Sequence, residues 1–524
     1  MAQQSGDTSQ QAAGVQADGL RLAISDRRLL DRRIVVAGNR GPLRFTEDDS
    51  GQLSARRDAG HAAESLDQFN DHPVTWVSGA VSTADRKAME TLSSDGGPLQ
   101  NDVLPASWEV RLVSPPRRVH HKFYNVICNP LLWFLLHRSW SPTFTPMIGS
   151  QEHDAWENGY RRVNEMFADE ISRSVGDDPF VLINRDYQLM LVPGIVRKQR
   201  PDAVIRHSFE TPWPWPSDLE ILPHDWRNQL LESLLSADEI SFPSRRDISA
   251  FLACVREFLG ERAEIGATDE NSSSVSYNGS HTLLEISAPA VRPSQFESVK
   301  YMDPVQRFTD ELTDDSYRHT FVTVDCAEPH KNLIRSINAF GELLKANPEM
   351  SEDVRYLLFL TTGPAHVSAY KRLSEEVRRA ARRVNEKAGG HQPVRVVMEN
   401  NFYRALAALS IYDTLVSVPV VDGTGRAALD GAVVNASNGG MILSETNVAA
   451  NVFTGSASVV GFADTKAITD AMAAAFSEST ESRAANAQDR LGAIQRITDE
   501  NVVGELASKL ATSISLIEAS HDND

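Results

Sequence analysis

Cysteine is scarce in this chain: Cys128, Cys254 and Cys326 are the only three among 524 residues, and no two lie close together. An odd, widely spaced set makes neither a disulfide framework nor a zinc site, and it suits a reducing compartment. Long apolar runs are missing too. No stretch of about 18 uncharged apolar residues occurs, and the first thirty residues hold no apolar core of a leader, so a cytoplasmic protein without a membrane span is expected. Positive charge is in deficit, with Lys+Arg 52 against Asp+Glu 71 and a net charge of −19. Broad contact with nucleic acid or anionic lipid needs a basic face and is therefore not expected. Any phosphate has to be met by a few local cations. GxxxxGK[ST], HExxH, CxxC and GxSxG are all absent, which removes the P-loop, zinc-protease and serine-hydrolase readings and leaves no metal site to expect.

What is present is enough apolar material for large cores, 41% hydrophobic residues with 23% charged. At about 150 residues per domain the length suggests three or four domains, but α/β domains often reach about 250, which favours two. Residues 1–30 are polar and small and read as a disordered tail. From Ile34 onward short β-branched runs (Ile34 to Ala37, Thr75 to Ser78, Phe180 to Ile183, Ala203 to Ile205) alternate with helical segments such as Ala155 to Ile171 and Asp225 to Leu235. Strands separated by helices imply parallel βαβ crossovers. The polar stretch Ala263 to Thr282, with a hairpin-like Asn278-Gly279, reads as the approach to a boundary near Val291-Arg292-Pro293. A second alternating series follows from Thr320, ending in helices over Thr465 to Phe476 and Ala484 to Ile517. The expected architecture is α/β with two doubly wound Rossmann-like domains, 31–290 and 291–490. A C-terminal helix, 491–524, is expected to return toward the first. Ligands of such folds bind at the carboxyl ends of the strands.

Four motifs sit at such ends. Asn39-Arg40-Gly41-Pro42 sets one guanidinium beside a glycine that permits close backbone approach, suiting a phosphate or else a plain surface turn. Asp422-Gly423-Thr424-Gly425-Arg426 opens a helix whose N–H groups can hold a diphosphate, or whose Asp422 or Thr424 can cap it. Asp186 follows the strand Phe180 to Ile183 and either orients an acceptor hydroxyl or pairs with Arg185. Phe209 to Pro216 is a rigid aromatic and proline cluster whose Trp213 offers a flat face to a sugar, or simply packs.

In order and content these motifs resemble the trehalose-6-phosphate synthase family of retaining GT-B glycosyltransferases, from about residue 31 to about residue 510. The matches are Asn39-Arg40-Gly41-Pro42, Tyr124 to Asn129 with Leu132-Trp133, the Tyr160 to Ala168 helix, Asp186 to Leu189, Leu222-Pro223, Lys331, Asp422-Gly423, and Ile442 to Glu445 with Ala449-Ala450. Pro212 to Pro216, Pro329 to Asn332 and Leu443 to Thr446 are similar to the validoxylamine A 7'-phosphate synthase branch, pseudo-glycosyltransferases that join a cyclitol to an aminocyclitol phosphate through nitrogen. The resemblance implies a nucleoside diphosphate-activated sugar or cyclitol as co-substrate, no cofactor beyond it, and a small polar acceptor. It implies Asp186 and Glu210 as catalytic residues. Arg40, Gly41, Lys331, Asp422, Gly423, Thr424, Arg426, Asp430, Leu443 and Ser444 would bind donor, and Tyr124, Trp133, Arg185 and Trp213 acceptor.

Departures from the family pattern are concentrated at the same places. A histidine becomes Glu210, a Gly-Gly becomes Gly60-His61, and the arginine that partners Lys331 becomes Cys326. The ribose-binding glutamate becomes Asp430, and an acceptor-phosphate arginine is missing near Pro364. A carboxylate at 210 favours an amine-bearing acceptor, and Arg426, His61 or Arg185 stand near enough in sequence to the losses to compensate. The reading is therefore a glycosyltransferase or pseudo-glycosyltransferase in secondary metabolism, compatible with a homo-oligomer. A catalytically silent regulatory or scaffolding member is the alternative.

Overall fold

A computed structural model describes residues 31–57, 72–93, 97–140, 145–268, 272–287, 289–363 and 367–521. The expected tail, Gly60-His61 and the segment at Pro364 lie outside the described residues. The chain divides into two compact units. The first holds residues up to Leu136, Trp140–Ala290 and Asp499 onward, and the second holds His137–Ser139 and Val291–Thr498.

The first unit contains β1 (Arg33–Gly38), β2 (Leu43–Glu47), β3 (Leu53–Arg57), β4 (Val74–Gly79), β5 (Trp108–Val113), β6 (Phe180–Arg185), β7 (Val204–Ser208), β8 (Glu239–Phe242), β9 (Ala263–Thr268), β10 (Ser272–Tyr277) and β11 (Ser280–Ile286). Its main sheet runs β5-β4-β1-β6-β7-β8-β11-β10-β9, parallel from β5 through β11 and antiparallel beyond. Central strands are apolar along their whole length because helices cover both faces. Val35, Ala37 and Leu182 enter one buried cluster, and Ile34, Val36 and Val181 the other. The second unit is wholly parallel, with β12 (His319–Ala327), β13 (Val354–Thr362), β14 (Val394–Met398), β15 (Thr414–Ser417), β16 (Gly440–Ser444) and β17 (Ser458–Val460) in the order β14-β13-β12-β15-β16-β17. Both sheets put the carboxyl ends of several strands along one edge, which is where the candidate residues fall.

Two expectations need correction. The polar stretch before the boundary is not a loop: β9, β10 and β11 extend the first sheet, and polar residues are tolerated there because the outermost strand, β9, leaves its side chains largely in solvent. The hairpin turn itself falls at Asn278-Gly279, both at positive φ. The final helical stretch is broken, with helices at Thr480–Arg496 and Asp499–His521 parted at Ile497-Thr498, later than the expected break at 490. The last helix belongs to the first unit, where Ala507, Leu510 and Ile514 are buried with Ile34 and Val36 and Lys509 pairs with Glu285 at 2.6 Å.

Candidate active site

In the first unit the residues gather where β6 and β7 end side by side. Asp186 leaves β6 with φ 61° and ψ 178°, a conformation that costs a non-glycine residue roughly 1–3 kcal/mol and tends to occur at functional sites. Its N–H donates to the Ser208 carbonyl at 2.8 Å, and the Thr211 hydroxyl donates to its Oδ1 at 3.0 Å. Burial, helped by the charge of Glu210, pushes its carboxyl up to about 6, while Thr211 and Arg185 oppose the shift. Beside it the Arg185 guanidinium pairs with the Glu210 carboxylate, which is half exposed. Trp133 packs at 5.7 Å against Tyr187, and Tyr124, one turn into the helical segment that also carries Trp133, stacks on His120 at 5.8 Å. The arrangement offers a carboxyl that exchanges its proton near pH 6, a charged pair and two half-buried aromatic rings.

Arg40 ends the loop after β1, the other neighbour of β6, and is exposed with no ion-pair partner among the described residues. A Cβ on Gly41 would lie 2.3 Å from the Ser78 hydroxyl, so glycine alone lets the loop lie there. These two residues, expected to bind donor, thus share a unit with Arg185 and Asp186.

Trp213 does not offer a face to a ligand. It is 4% exposed and packs edge-on against Phe251 at 5.1 Å and Phe209 at 5.3 Å, because the prolines around it turn the chain inward. Trp213→Ala is expected to cost about 3–5 kcal/mol in urea unfolding while leaving ligand affinity of the folded protein unchanged.

The second unit holds a cavity of about 300 Å³ at the carboxyl ends of β12, β13 and β14, with Asp325, Cys326, Glu399, Phe402, Arg426 and Asp430 in its wall. Behind Asp325 lies Lys331, whose Nζ is 3.0 Å from Asp325 Oδ1 and 2.7 Å from Asp422 Oδ2. Burial opposes the charge on this lysine, but the two carboxylates outweigh it and hold the ammonium firmly protonated. Burial likewise opposes ionisation of Asp422, yet Lys331 and two backbone N–H groups pull it down to about 2. Those N–H groups are Thr424 at 2.9 Å and Gly425 at 3.2 Å, both donating to Asp422 Oδ1. The capping alternative for this loop is therefore the one realised, and these amides are not free for a diphosphate. Gly423 is buried within the same turn. Gly425 has φ 57°, and a Cβ there would meet the Ala449 nitrogen at 2.7 Å.

Arg426 pairs with Asp430, Nε to Oδ1 at 2.8 Å, one helical turn apart. Cys326 is a neutral thiol, pushed up to about 12 by burial and the adjacent Asp325. Leu443 and Ser444 are corrected as side-chain ligands: both are fully buried, Leu443 in the core and Ser444 donating to the Pro419 carbonyl at 2.8 Å. Four residues escaped the sequence reading. Asp325, Glu399 and Phe402 all lie at or just past strand ends, so the rule that found Asp186 applies to them as well. Thr211 gave no signal, since its role depends on where Asp186 turns.

Comparison with known proteins agrees with this layout. The profile of Glycosyltransferase family 20 matches residues 32–511. The chain belongs to this family. A validamine 7-phosphate valienyltransferase from Streptomyces hygroscopicus subsp. jinggangensis is 28% identical over 385 residues, 72% of this chain and 74% of that protein. A trehalose-6-phosphate synthase from Mycobacterium tuberculosis is 25% identical over 431 residues, 80% of this chain and 83% of that one. Among solved structures, the Escherichia coli protein bound with UDP-2-fluoro glucose superposes with a TM-score of 0.76 at 21% identity, covering 91% of this chain and 99% of that chain. The N-terminal domain of Candida albicans trehalose-6-phosphate phosphatase gives the same TM-score, 0.76, at 21% identity, covering 92% and 97%. The fold class of this family 20 member is accordingly GT-B, and its class of activity is glycosyltransferase. Among the described residues no helix is long and apolar enough to cross a membrane.

Proposed function

We propose that this family 20 protein transfers a sugar or cyclitol from a nucleoside diphosphate donor to a polar acceptor, with retention, and that amine-bearing acceptors are preferred. The observation that carries the reading is Lys331, a buried ammonium backed by Asp422 and set behind the cavity of the second unit. In this reading the second unit supplies the donor subsite, Lys331 taking up charge as the diphosphate departs. Asp430 and Arg426 meet the ribose. The first unit supplies the acceptor subsite, where Asp186 orients the nucleophile with Tyr124 and Trp133 against its apolar surface. The bond from the transferred carbon to the diphosphate oxygen breaks with its electron pair, a carbon–nitrogen or carbon–oxygen bond forms on the same face, and the nucleophile's proton passes to Glu210. Arg185 keeps Glu210 ionised until then, and a cationic acceptor complements the carboxylate. The reading calls for no cofactor beyond the activated co-substrate.

One observation favours the silent-member reading: Lys331 is already matched by two carboxylates, and Cys326 adds no positive charge. Nucleoside diphosphate release separates the two. With nucleotide sugars and a panel of hydroxyl and aminocyclitol acceptors, phosphorylated and not, release should depend on acceptor and fall in Asp186→Asn. No release with any pair, no heat on titrating nucleotides, and a stoichiometric co-purifying protein together overturn the enzyme reading.

A further inference from the structure

Glu399 is an anion in a place that a merely structural residue has no need to occupy. It directly follows β14 and lines the cavity of the second unit, together with Asn400, Asn401 and Phe402. Its Oε1 is buried and accepts no hydrogen bond, although the Arg404 guanidinium lies 3.2 Å away. Arg404 is not free to swing over and cap it: the guanidinium also donates to Glu311 at 2.9 Å and sits 4.4 Å above the Phe308 ring. One cation thus serves two carboxylates, and Glu399 keeps acceptor capacity toward the cavity. Phe402, immediately beside the two asparagines, is 59% exposed, an unusual state for a phenylalanine in a cavity wall that has no occupant to cover it. Asn401 spends its side-chain oxygen on the Arg404 N–H at 3.1 Å, which leaves its amide NH₂ as a donor.

A flat exposed ring, a carboxylate with open lone pairs and amide donors make a reader for a planar heteroaromatic edge. The carboxylate is acceptor-only, so it matches an edge with two adjacent N–H donors and is repelled by a carbonyl or a ring nitrogen lone pair. Guanine presents that edge at N1–H and N2–H₂, with O6 next to it for an amide or guanidinium donor. Uracil flanks its one N–H with two carbonyls, and adenine sets its amino group beside a bare ring nitrogen, so both place an acceptor against the carboxylate.

We propose that Glu399 sets donor specificity for guanine, with Phe402 as the stacking platform. This rests on the reading of the second unit as a nucleotide-donor site and adds the base to it. It also separates this chain from those relatives that are described as UDP-forming.

Isothermal titration of the full chain with GDP, UDP and ADP tests it. GDP should bind at least about 10-fold more tightly than the other two, and Glu399→Gln should weaken GDP by about 10–100-fold, the loss of charge-assisted bonds, while leaving UDP equal or improved. Phe402→Ala serves as the companion variant: stacking tolerates every base, so it should weaken all three nucleotides alike and leave their order intact. The same thermal unfolding midpoint in wild type and Glu399→Gln shows that the change is in recognition. UDP or ADP binding as tightly as GDP, or an unchanged preference in Glu399→Gln, overturns the guanine assignment and leaves the donor site standing. Heat from none of the three overturns the donor reading, and this inference with it.

Discussion

Lys331→Met is expected to destabilise the protein by about 3–5 kcal/mol and to weaken nucleoside diphosphate binding by roughly 10–150-fold, the worth of one charge-assisted hydrogen bond. The first effect arises because removing the ammonium leaves Asp325 and Asp422 facing one another in a buried place. It carries a pH signature. Asp422 has its folded-state value depressed to about 2, so its contribution to stability is complete above its ordinary 3.8 and disappears as the pH falls through about 2. In Lys331→Met that acid-side slope should flatten. Adding Asp325→Asn should recover part of the lost stability by removing the like-charge contact, and should recover none of the binding. Urea unfolding across pH 2–7 with nucleotide titration of both variants reads the two effects separately, and a Lys331→Met protein as stable as wild type would refute the triad.

Asp186→Asn should do the opposite to stability. A buried carboxyl whose value is raised from 3.8 to about 6 contributes stability below the lower value and loses it as the pH rises through the upper one. At pH 7–8 the wild type therefore carries an ionised group in an unfavourable place. The neutral amide, which still accepts from Thr211, should stabilise by about 2–3 kcal/mol, from roughly two pKa units at 1.36 kcal/mol each. Transfer activity should fall by about 10²–10⁴-fold, the usual span for a lost acid–base or orienting group. A melting series from pH 4 to 8 should show the gap between the two proteins opening above about pH 6. If Asp186→Asn is less stable than wild type at pH 8, the carboxyl is not the strained, desolvated group described above.

Strand ends were the most legible feature of this sequence, and the physical reason is burial. Runs such as Ile34 to Ala37 and Phe180 to Ile183 are apolar on both faces because helices cover both, and only a few parallel strands of a doubly wound sheet look like that. The residue that follows such a run stands at the ligand edge, which is why Asp186 and Lys331 stood out. The polar strands β9 to β11 did not announce themselves, since an exposed sheet margin has no apolar run to show. Trp213 was misjudged for a related reason: composition reveals a rigid aromatic turn but not whether it points inward. Nor does sequence disclose charge pairing across long separations. That Lys331 and Asp422 meet, or that Arg185 takes up Glu210, depends on strand register, and the left-handed turn at Asp186 depends on the Ser208 and Thr211 contacts that enforce it.

The central claim is that Lys331 exchanges a carboxylate for a diphosphate when the donor site fills. A crystal structure of the protein saturated with a nucleoside diphosphate tests it directly. The account predicts the β-phosphate within about 3 Å of Lys331 Nζ, with that atom drawn away from Asp325 while Asp422 keeps its bonds to Thr424 and Gly425. A diphosphate bound elsewhere, with Lys331 still held between the two aspartates, would contradict it.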